Sequence, residues 1–483
     1  MRRSATAARL WAVPALVAAL LGSSAACANT DAPAEPTAPP VFRCPGPAVP
    51  TELDVTCHRI DVDGASLAVA VLHAEDPTGL PVLHLHGGPG GRTVAERHRW
   101  LAPRSSLLAH HDVILVDQRG GGFSTPSMDC PEVDGTTAPD PSRYRACRDR
   151  LDADGVDRSA VTVARLAADL VAVRQAFEID LWHLHGASYG TRVALELLRT
   201  DGDAVAAAVL DSVVPPDIAT HDDLPAGVVE ALTALGIWCS EPDRVCAGDI
   251  GERLGDVLGR LADRPATVTV HSGDTLRVDD VAFLRLASDV LAGTAPDGAG
   301  IAAAAIAMAK TSTTEAVALL LDATGRHDSL GQWATGDANA EGAQLSVECA
   351  DELPGNDFSG PAPDNPPSWE DRVTTAVRGR WIDVRTLCAL WDVPPSSADT
   401  RRPVRSEVPV LVLAGLLDPV TPAAWAHHLV HGSGSLTDAV LATSVGWSHV
   451  PSMSDRCAAE LVASFFDNGI RPRSGPANCP TSD

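Results

Sequence analysis

A single lysine, Lys310, stands among 483 residues, and the remaining positive charge comes from arginine. Lys and Arg together number 37 against 63 Asp and Glu, for a net charge of −26. So acidic a chain stays soluble, and it argues against nucleic acid or anionic lipid surfaces as partners. Apolar runs long enough to span a membrane are missing too. The stretch from Leu10 to Gly22 is too short for a comfortable span, and Ile301–Met308 is shorter still. The 11 cysteines lack the paired CxxC spacing of a zinc site, so no metal is expected. No internal repeat is visible.

What the N-terminus does carry reads as an export signal over residues 1–27. Arg2 and Arg3 precede the apolar stretch, and small residues lead to Ala25-Ala26-Cys27. That ending resembles the site at which a cysteine is lipidated, although Ser24 stands where leucine is preferred. Cys27 is therefore a candidate lipid attachment point, with cleavage to a free secreted protein as the alternative. Export favours disulfides, and setting Cys27 aside leaves an even number of cysteines. The most economical pairing is local: Cys44–Cys57, Cys130–Cys147, Cys239–Cys246, Cys349–Cys388 and Cys457–Cys479.

Residues 28–40 are rich in proline and small polar residues and read as a flexible tether. Beyond it, strand-like runs occur near Thr56–Val62, Leu67–His73, Pro81–His86, Asp112–Asp117, Ile179–His185, Val205–Leu210, Val408–Ala414 and Ala439–Thr443. Helical spacing separates most of them, notably over Val161–Phe177. Strands alternating with helices predict a mostly parallel α/β sheet. Between residues 215 and 402 the pattern changes to alanine- and leucine-rich helical spacing, as in Phe283–Ala292 and Ile301–Leu321. This segment reads as a helical cap inserted between two parts of a core, residues 41–214 and 403–483.

The chemistry-bearing motifs all follow strands. Gly186-Ala187-Ser188-Tyr189-Gly190 sits between an apolar strand and an apolar helix, the setting of a nucleophile elbow at Ser188. His86-Gly87-Gly88-Pro89-Gly90-Gly91 is a turn whose bare backbone suits an oxyanion site. Its expected donors are Gly87 and Gly88, with the Tyr189 N–H as their counterpart. Asp117 and Arg119, in a third glycine-rich loop, are expected to hold that loop against the oxyanion turn. Asp418 follows the strand Val408–Ala414, and His449 follows the last strand. The order Ser188, Asp418, His449 is that of a nucleophile, an orienting acid and a base on an α/β sheet. Asp211, at the end of an earlier strand, is the competing acid and is expected to be structural, at the entrance to the cap.

HGGPGG at 86–91, DQRGGGFS at 117–124, GASYG at 186–190, GLLDPVTP at 415–422 and GWSH at 446–449 together resemble the proline-iminopeptidase-like serine peptidases. The likeness is greatest to their secreted tripeptidyl-aminopeptidase branch and runs over most of the mature chain. The resemblance implies an α/β-hydrolase fold under a helical cap, no cofactor, and peptide substrates cut near a free N-terminus. It also implies a cap carboxylate for the substrate ammonium. Glu348, Asp351 and Glu352 are the candidates, with Asp351 standing where the family commonly has glutamate. The last loop departs from the family in carrying Trp447 and Ser448 before the histidine. An esterase or lipase with the same triad is the main alternative, and a non-catalytic envelope binding protein a more remote one. An epoxide hydrolase would need aspartate at position 188.

Overall fold

In the computed structural model of the chain, the described residues are 39–46, 53–101, 104–133, 140–241, 244, 246, 248–269, 275–293, 297–324, 339–360, 364–365, 367–432, 436–469, 471–472 and 474–477. The expected export signal with Cys27, and nearly all of the tether, lie outside them. The strands are β1 (Val41–Phe42), β2 (Val55–Val62), β3 (Ala65–Leu72), β4 (Val82–Leu85), β5 (Val113–Val116), β6 (Trp182–Ala187) and β7 (Val205–Asp211). After them come β8 (Ala266–Thr269), β9 (Thr275–Val278), β10 (Val410–Gly415), β11 (Ala439–Ser444) and β12 (Gly475–Pro476).

Ten of these form one sheet in the order β1-β2-β3-β5-β4-β6-β7-β10-β11-β12. The hairpin β2–β3 and the pair β3–β5 are antiparallel, whereas every pairing from β5 to β12 is parallel. The period-two alternation of the parallel strands divides their side chains between two cores. In β10, Val410, Val412 and Ala414 pack on one face, while Leu411 and Leu413 pack on the other. In β5, Ile114 and Val116 face the first core, and Val113 and Leu115 face the second. Helices Val163–Ala176 and Tyr189–Thr200 cover the first face, and helix Arg456–Asn468 covers the second. This is the α/β-hydrolase architecture that the sequence predicts.

The chain runs from β4 outward to β5 and then crosses back to β6 on the other side of β4. That reversal opens a crevice at the carboxyl ends of β4 and β6, where sheets of this kind bind ligands. Gly87 leaves β4 at this point and Ser188 leaves β6. The strand expected over Ile179–His185 begins later, at Trp182, because Leu181 is exposed. Its end instead extends to Ala187, directly under the serine.

The segment between β7 and β10, expected to be a mostly helical cap, has two features that the helical spacing did not reveal. It contains the antiparallel hairpin β8–β9, and the helical spacing over Ile301–Leu321 is broken into Gly298–Met308 and Thr313–Thr324. It also divides between two cores. Helices Thr220–Cys239, Ile250–Asp263, Asp280–Ala292 and Trp369–Gly379 build a hydrophobic core of their own. Helices Glu341–Val347 and Trp381–Trp391 join the main core beside the sheet through Leu345, Val347, Leu387 and Trp391.

Four of the expected disulfides are present: Cys44–Cys57, Cys130–Cys147, Cys239–Cys246 and Cys349–Cys388. Cys457 is also disulfide-bonded, but its expected partner Cys479 lies outside the described residues. Cys349–Cys388 closes a separation of 39 residues and joins Glu348–Glu352 to helix Trp381–Trp391. Replacing both cysteines by alanine is expected to cost about 4 kcal/mol of stability, the loop-closure estimate for that length. Urea unfolding of the double variant against the parent measures it.

Candidate active site

Ser188 has φ 53° and ψ −126°, in the positive-φ region that side chains rarely adopt. Three contacts hold the strain. The Ser188 N–H donates to Asp211 O (2.9 Å), and Ser188 O accepts from Thr191 N (2.9 Å) and Thr191 Oγ1 (2.6 Å). Helix Tyr189–Thr200 then starts so close to β4 that a Cβ on Gly190 would lie 2.0 Å from Leu85 O. Only glycine permits that crossing, which accounts for its place in the motif.

Asp418 and His449 meet as their sequence order predicts. His449 Nδ1 lies 2.8 Å from Asp418 Oδ2, which leaves Nε2 as the nitrogen able to take up a proton. Asp418 is fully enclosed by donors: Val420 N and Thr421 N reach Oδ1 (2.8 and 2.9 Å), while Thr421 Oγ1 and Ser212 Oγ reach Oδ2 (2.7 and 2.9 Å). Burial alone raises the Asp418 carboxyl, but the His449 imidazole and the Thr421 donors outweigh it and hold the group below its ordinary range. Burial likewise depresses His449, yet Asp418 and then Asp211 more than compensate and keep the imidazole above its ordinary value.

Two neighbouring residues of the β7 end tie the serine and histidine segments together. Asp211 O receives the Ser188 N–H, and Ser212 Oγ receives the Val450 N–H (2.7 Å) directly after His449. Ser188, Ser212 and Val450 all have positive φ, so backbone strain gathers at this point. The sequence offered no sign of Ser212, because its role depends on strand order. Thr421 stood inside the quoted GLLDPVTP motif, but nothing in the motif distinguished it from a turn residue.

Gly87 lies against the serine: a Cβ there would be 2.7 Å from Ser188 Cβ. Tyr189 is the first residue of its helix, next to the serine. Gly88 (φ +115°) turns toward the inserted segment, where a Cβ would meet Asn339 Oδ1 at 2.9 Å. The turn is braced from there by Ala340 N donating to Gly90 O (3.0 Å). Asp117 joins the two glycine-rich loops, accepting from Val94 N and Phe123 N (both 2.8 Å). Burial pushes its carboxyl up to about 6. Arg119 does not face the oxyanion turn as expected; it forms a buried bidentate pair with Asp169 on helix Val163–Ala176 (2.9 and 2.7 Å).

A cavity of about 240 Å³ opens in front of Ser188, lined by Tyr189, His221, Glu348, Glu352, Arg380 and Trp381 among others. Larger clefts near Arg119 and near His111 lie away from the serine. Of the three candidate acids, Glu348 and Glu352 line the cavity and Asp351 does not. Asp351 is buried behind it and accepts from Val163 N (2.8 Å) at the start of helix Val163–Ala176, so its role is to cap that helix. A single turn of π-helix over Glu348–Glu352 sets the two glutamates on the cavity side. Glu348 Oε1 is 2.5 Å from His221 Nε2, a partner the sequence did not reveal. Glu352 accepts from Thr220 Oγ1 with Oε2 (3.3 Å), and its Oε1 has Arg192 at 3.7 Å. Among the described residues, Glu352 Oε1, Gln344 Oε1 and Tyr189 Oη are buried without a hydrogen-bond partner.

Comparison with known proteins finds matches over both parts of the core. Residues 81–231 match the family described as alpha/beta hydrolase fold, and residues 374–479 match one described as TAP-like protein. A probable proline iminopeptidase of Streptomyces coelicolor is 30% identical over 29% of this chain and 34% of its own length. The chain thus spans about a third of the length of that relative. Serine protease Hip1 of Mycobacterium bovis is 26% identical over 89% of this chain and 86% of that protein. Carboxylesterase B of Mycobacterium tuberculosis is 24% identical over 89% of this chain and 85% of that protein. Among solved structures, proline iminopeptidase of Mycobacterium smegmatis aligns over 85% of this chain and 97% of its own, at 18% identity and a TM-score of 0.40.

Thr421 Oγ1 touches both Asp418 Oδ2 and His449 Nδ1 (3.2 Å to the latter). Thr421→Val is expected to slow fluorophosphonate labelling of Ser188 about tenfold, the loss of one hydrogen bond to a charged group. Labelling rates on folded variant and parent check it.

Proposed function

We propose that this α/β-hydrolase is an exported serine exopeptidase, an aminopeptidase of tripeptidyl or prolyl type that cuts peptide bonds near free N-termini. The observation that carries the reading is a cavity that has a serine elbow beside it and two carboxylates on its wall. Glu348 and Glu352 set two carboxylates on the cavity wall, Gln344 adds an amide, and a peptide α-ammonium supplies three N–H groups to such acceptors. Glu352 is the principal ammonium ligand: Glu348 is held by His221 at 2.5 Å, whereas Arg192 stands 3.7 Å from Glu352 Oε1, outside hydrogen-bond distance. Export through residues 1–27 and a lipid on Cys27 belong to the same proposal and rest on the sequence.

In this mechanism His449 Nε2 removes the proton from Ser188 Oγ as the oxygen attacks the scissile carbonyl. Asp418 keeps the Nδ1–H tautomer in place and stabilises the imidazolium. The developing oxyanion is taken by backbone N–H groups of the Gly87–Gly88 turn and of Tyr189, each donor worth roughly 3 kcal/mol. His449 returns its proton to the leaving amine, and water activated by the same nitrogen then hydrolyses the acyl-enzyme. No step calls for a metal or an organic cofactor.

The match to carboxylesterase B over 89% of the chain favours a second reading, an esterase with the same triad. Turnover of butyrate esters without any on tripeptidyl anilides would decide for it.

Ser188→Ala is expected to fold normally and to lose turnover to below about one part in a thousand, the scale of a lost nucleophile. Residual activity above a few per cent refutes the assignment. Glu352→Gln should lower kcat/KM on free N-terminal peptides at least about tenfold, as for a charge-assisted hydrogen bond, yet leave an N-acetylated peptide unaffected. Because His449 titrates above its ordinary value, kcat/KM should be full above that pKa and fall as pH drops through it.

A further inference from the structure

Asp211 is a fully buried carboxyl at the active end of the sheet that the mechanism above does not use. Its register places it beside Ala187 of β6 and Leu413 of β10, between the strands that carry the serine and the acid. Oδ2 accepts the Ser452 N–H (2.9 Å) from the short helix Pro451–Ser454 that follows His449 and Val450. Oδ1 is buried without a hydrogen-bond partner. The Ser452 hydroxyl continues to His185 Nε2 (3.1 Å), and His185 Nδ1 lies 3.1 Å from His84 Nδ1. All four of these side chains are almost wholly excluded from solvent, and together they form a polar seam beneath the triad.

We propose that Asp211 is a second-acid positioning residue for His449, gripping the segment just past the base through Ser452 and supplying a negative charge that favours the imidazolium. The inference rests on the serine-hydrolase reading of Ser188 and is independent of the peptide specificity. Ser212 holds Val450 while Asp211 holds Ser452, so the end of β7 fixes the base-bearing loop at two backbone N–H groups just past His449. The ionisable groups around the carboxyl are His449 on that loop, Asp418 after β10, and His185 on β6 through Ser452. Burial pushes Asp211 up to about 7, against the Ser452 donors and His449, which favour its ionised form. Asp211 and His449 are coupled, each favouring the charged form of the other, and the acid limb of the rate profile belongs to the pair.

The test is the pH dependence of two quantities in the full chain: fluorophosphonate labelling of Ser188 and kcat/KM on a tripeptidyl anilide. Asp211→Asn keeps the shape and an acceptor for Ser452 N but removes the charge. It is expected to move the acid limb of both profiles to lower pH by roughly one unit, the order of one nearby charge. Ser452→Ala, which deletes a hydroxyl favouring the ionised carboxyl, should move the limb the same way by less. The sign for stability is separate. The folded carboxyl titrates above its ordinary 3.8, so its contribution is intact at low pH and is lost as pH rises through about 7. The melting temperature of Asp211→Asn relative to the parent should therefore rise from about pH 5 to about pH 9. An acid limb unmoved in both variants overturns the proposal and leaves Asp211 with a structural role only; if Asp211→Asn does not fold, Ser452→Ala decides alone. Failure of the parent to label at Ser188 refutes the hydrolase reading instead, so the two failures are distinguishable.

Discussion

The close crossing of the Tyr189–Thr200 helix over the end of β4 is the constraint on which the active end depends. A side chain at Gly190 would drive into Leu85 O, and one at Gly87 would drive into Ser188. With both atoms absent, β4 and β6 can deliver an oxyanion turn and a serine to the same point. The strain at Ser188 is then borne by the Asp211 carbonyl and by Thr191, both of which belong to well-packed elements. Close packing of the sheet on both faces makes the arrangement rigid, because no strand can shift without opening one core or the other.

The inserted segment is as much a part of the site as the sheet is. Helices of its first half, with Trp369–Gly379, build a core of their own, while in its second half Glu341–Val347 and Trp381–Trp391 pack into the main core and Cys349–Cys388 ties them in. The cavity acids come from that second half, where the π-turn at Glu348–Glu352 begins directly after helix Glu341–Val347. Asn356 secures the opposite wall: its Oδ1 accepts from His221 N (2.8 Å) and Asp222 N (3.1 Å) at the start of helix Thr220–Cys239. The carboxylates in front of the serine are thus held by the same packing that holds the sheet, and this gives them a fixed distance from it.

Charge in this region is arranged by burial more than by count. The chain carries a net charge of −26, yet each acid at the active end has specific partners. Asp418 is ionised within a ring of donors, Glu348 is matched by His221, and Asp117 and Asp211 are pushed upward by desolvation. The environments of Asp211 and Asp418 explain why two acids on neighbouring strands take different parts. Asp418 lies against the imidazole Nδ1, whereas Asp211 lies against backbone one turn further on.

The sequence by itself determined the α/β layering, the order of serine, acid and histidine, and four of the disulfides in the described residues. These were legible because they depend on local patterns: apolar alternation, glycines at turns, and cysteines close along the chain. It did not separate Asp351 from Glu348 and Glu352, since which side of a π-turn faces a cavity depends on what packs behind it. It misdirected Arg119, whose partner Asp169 is 50 residues away on a helix. Ser212, Thr421 and Asp211 were placed around His449 by the adjacency of β6, β7 and β10, and strand order is a property of the folded sheet. Tertiary structure decided these cases because hydrogen bonds and desolvation act between neighbours in space, and one-dimensional spacing does not name those neighbours.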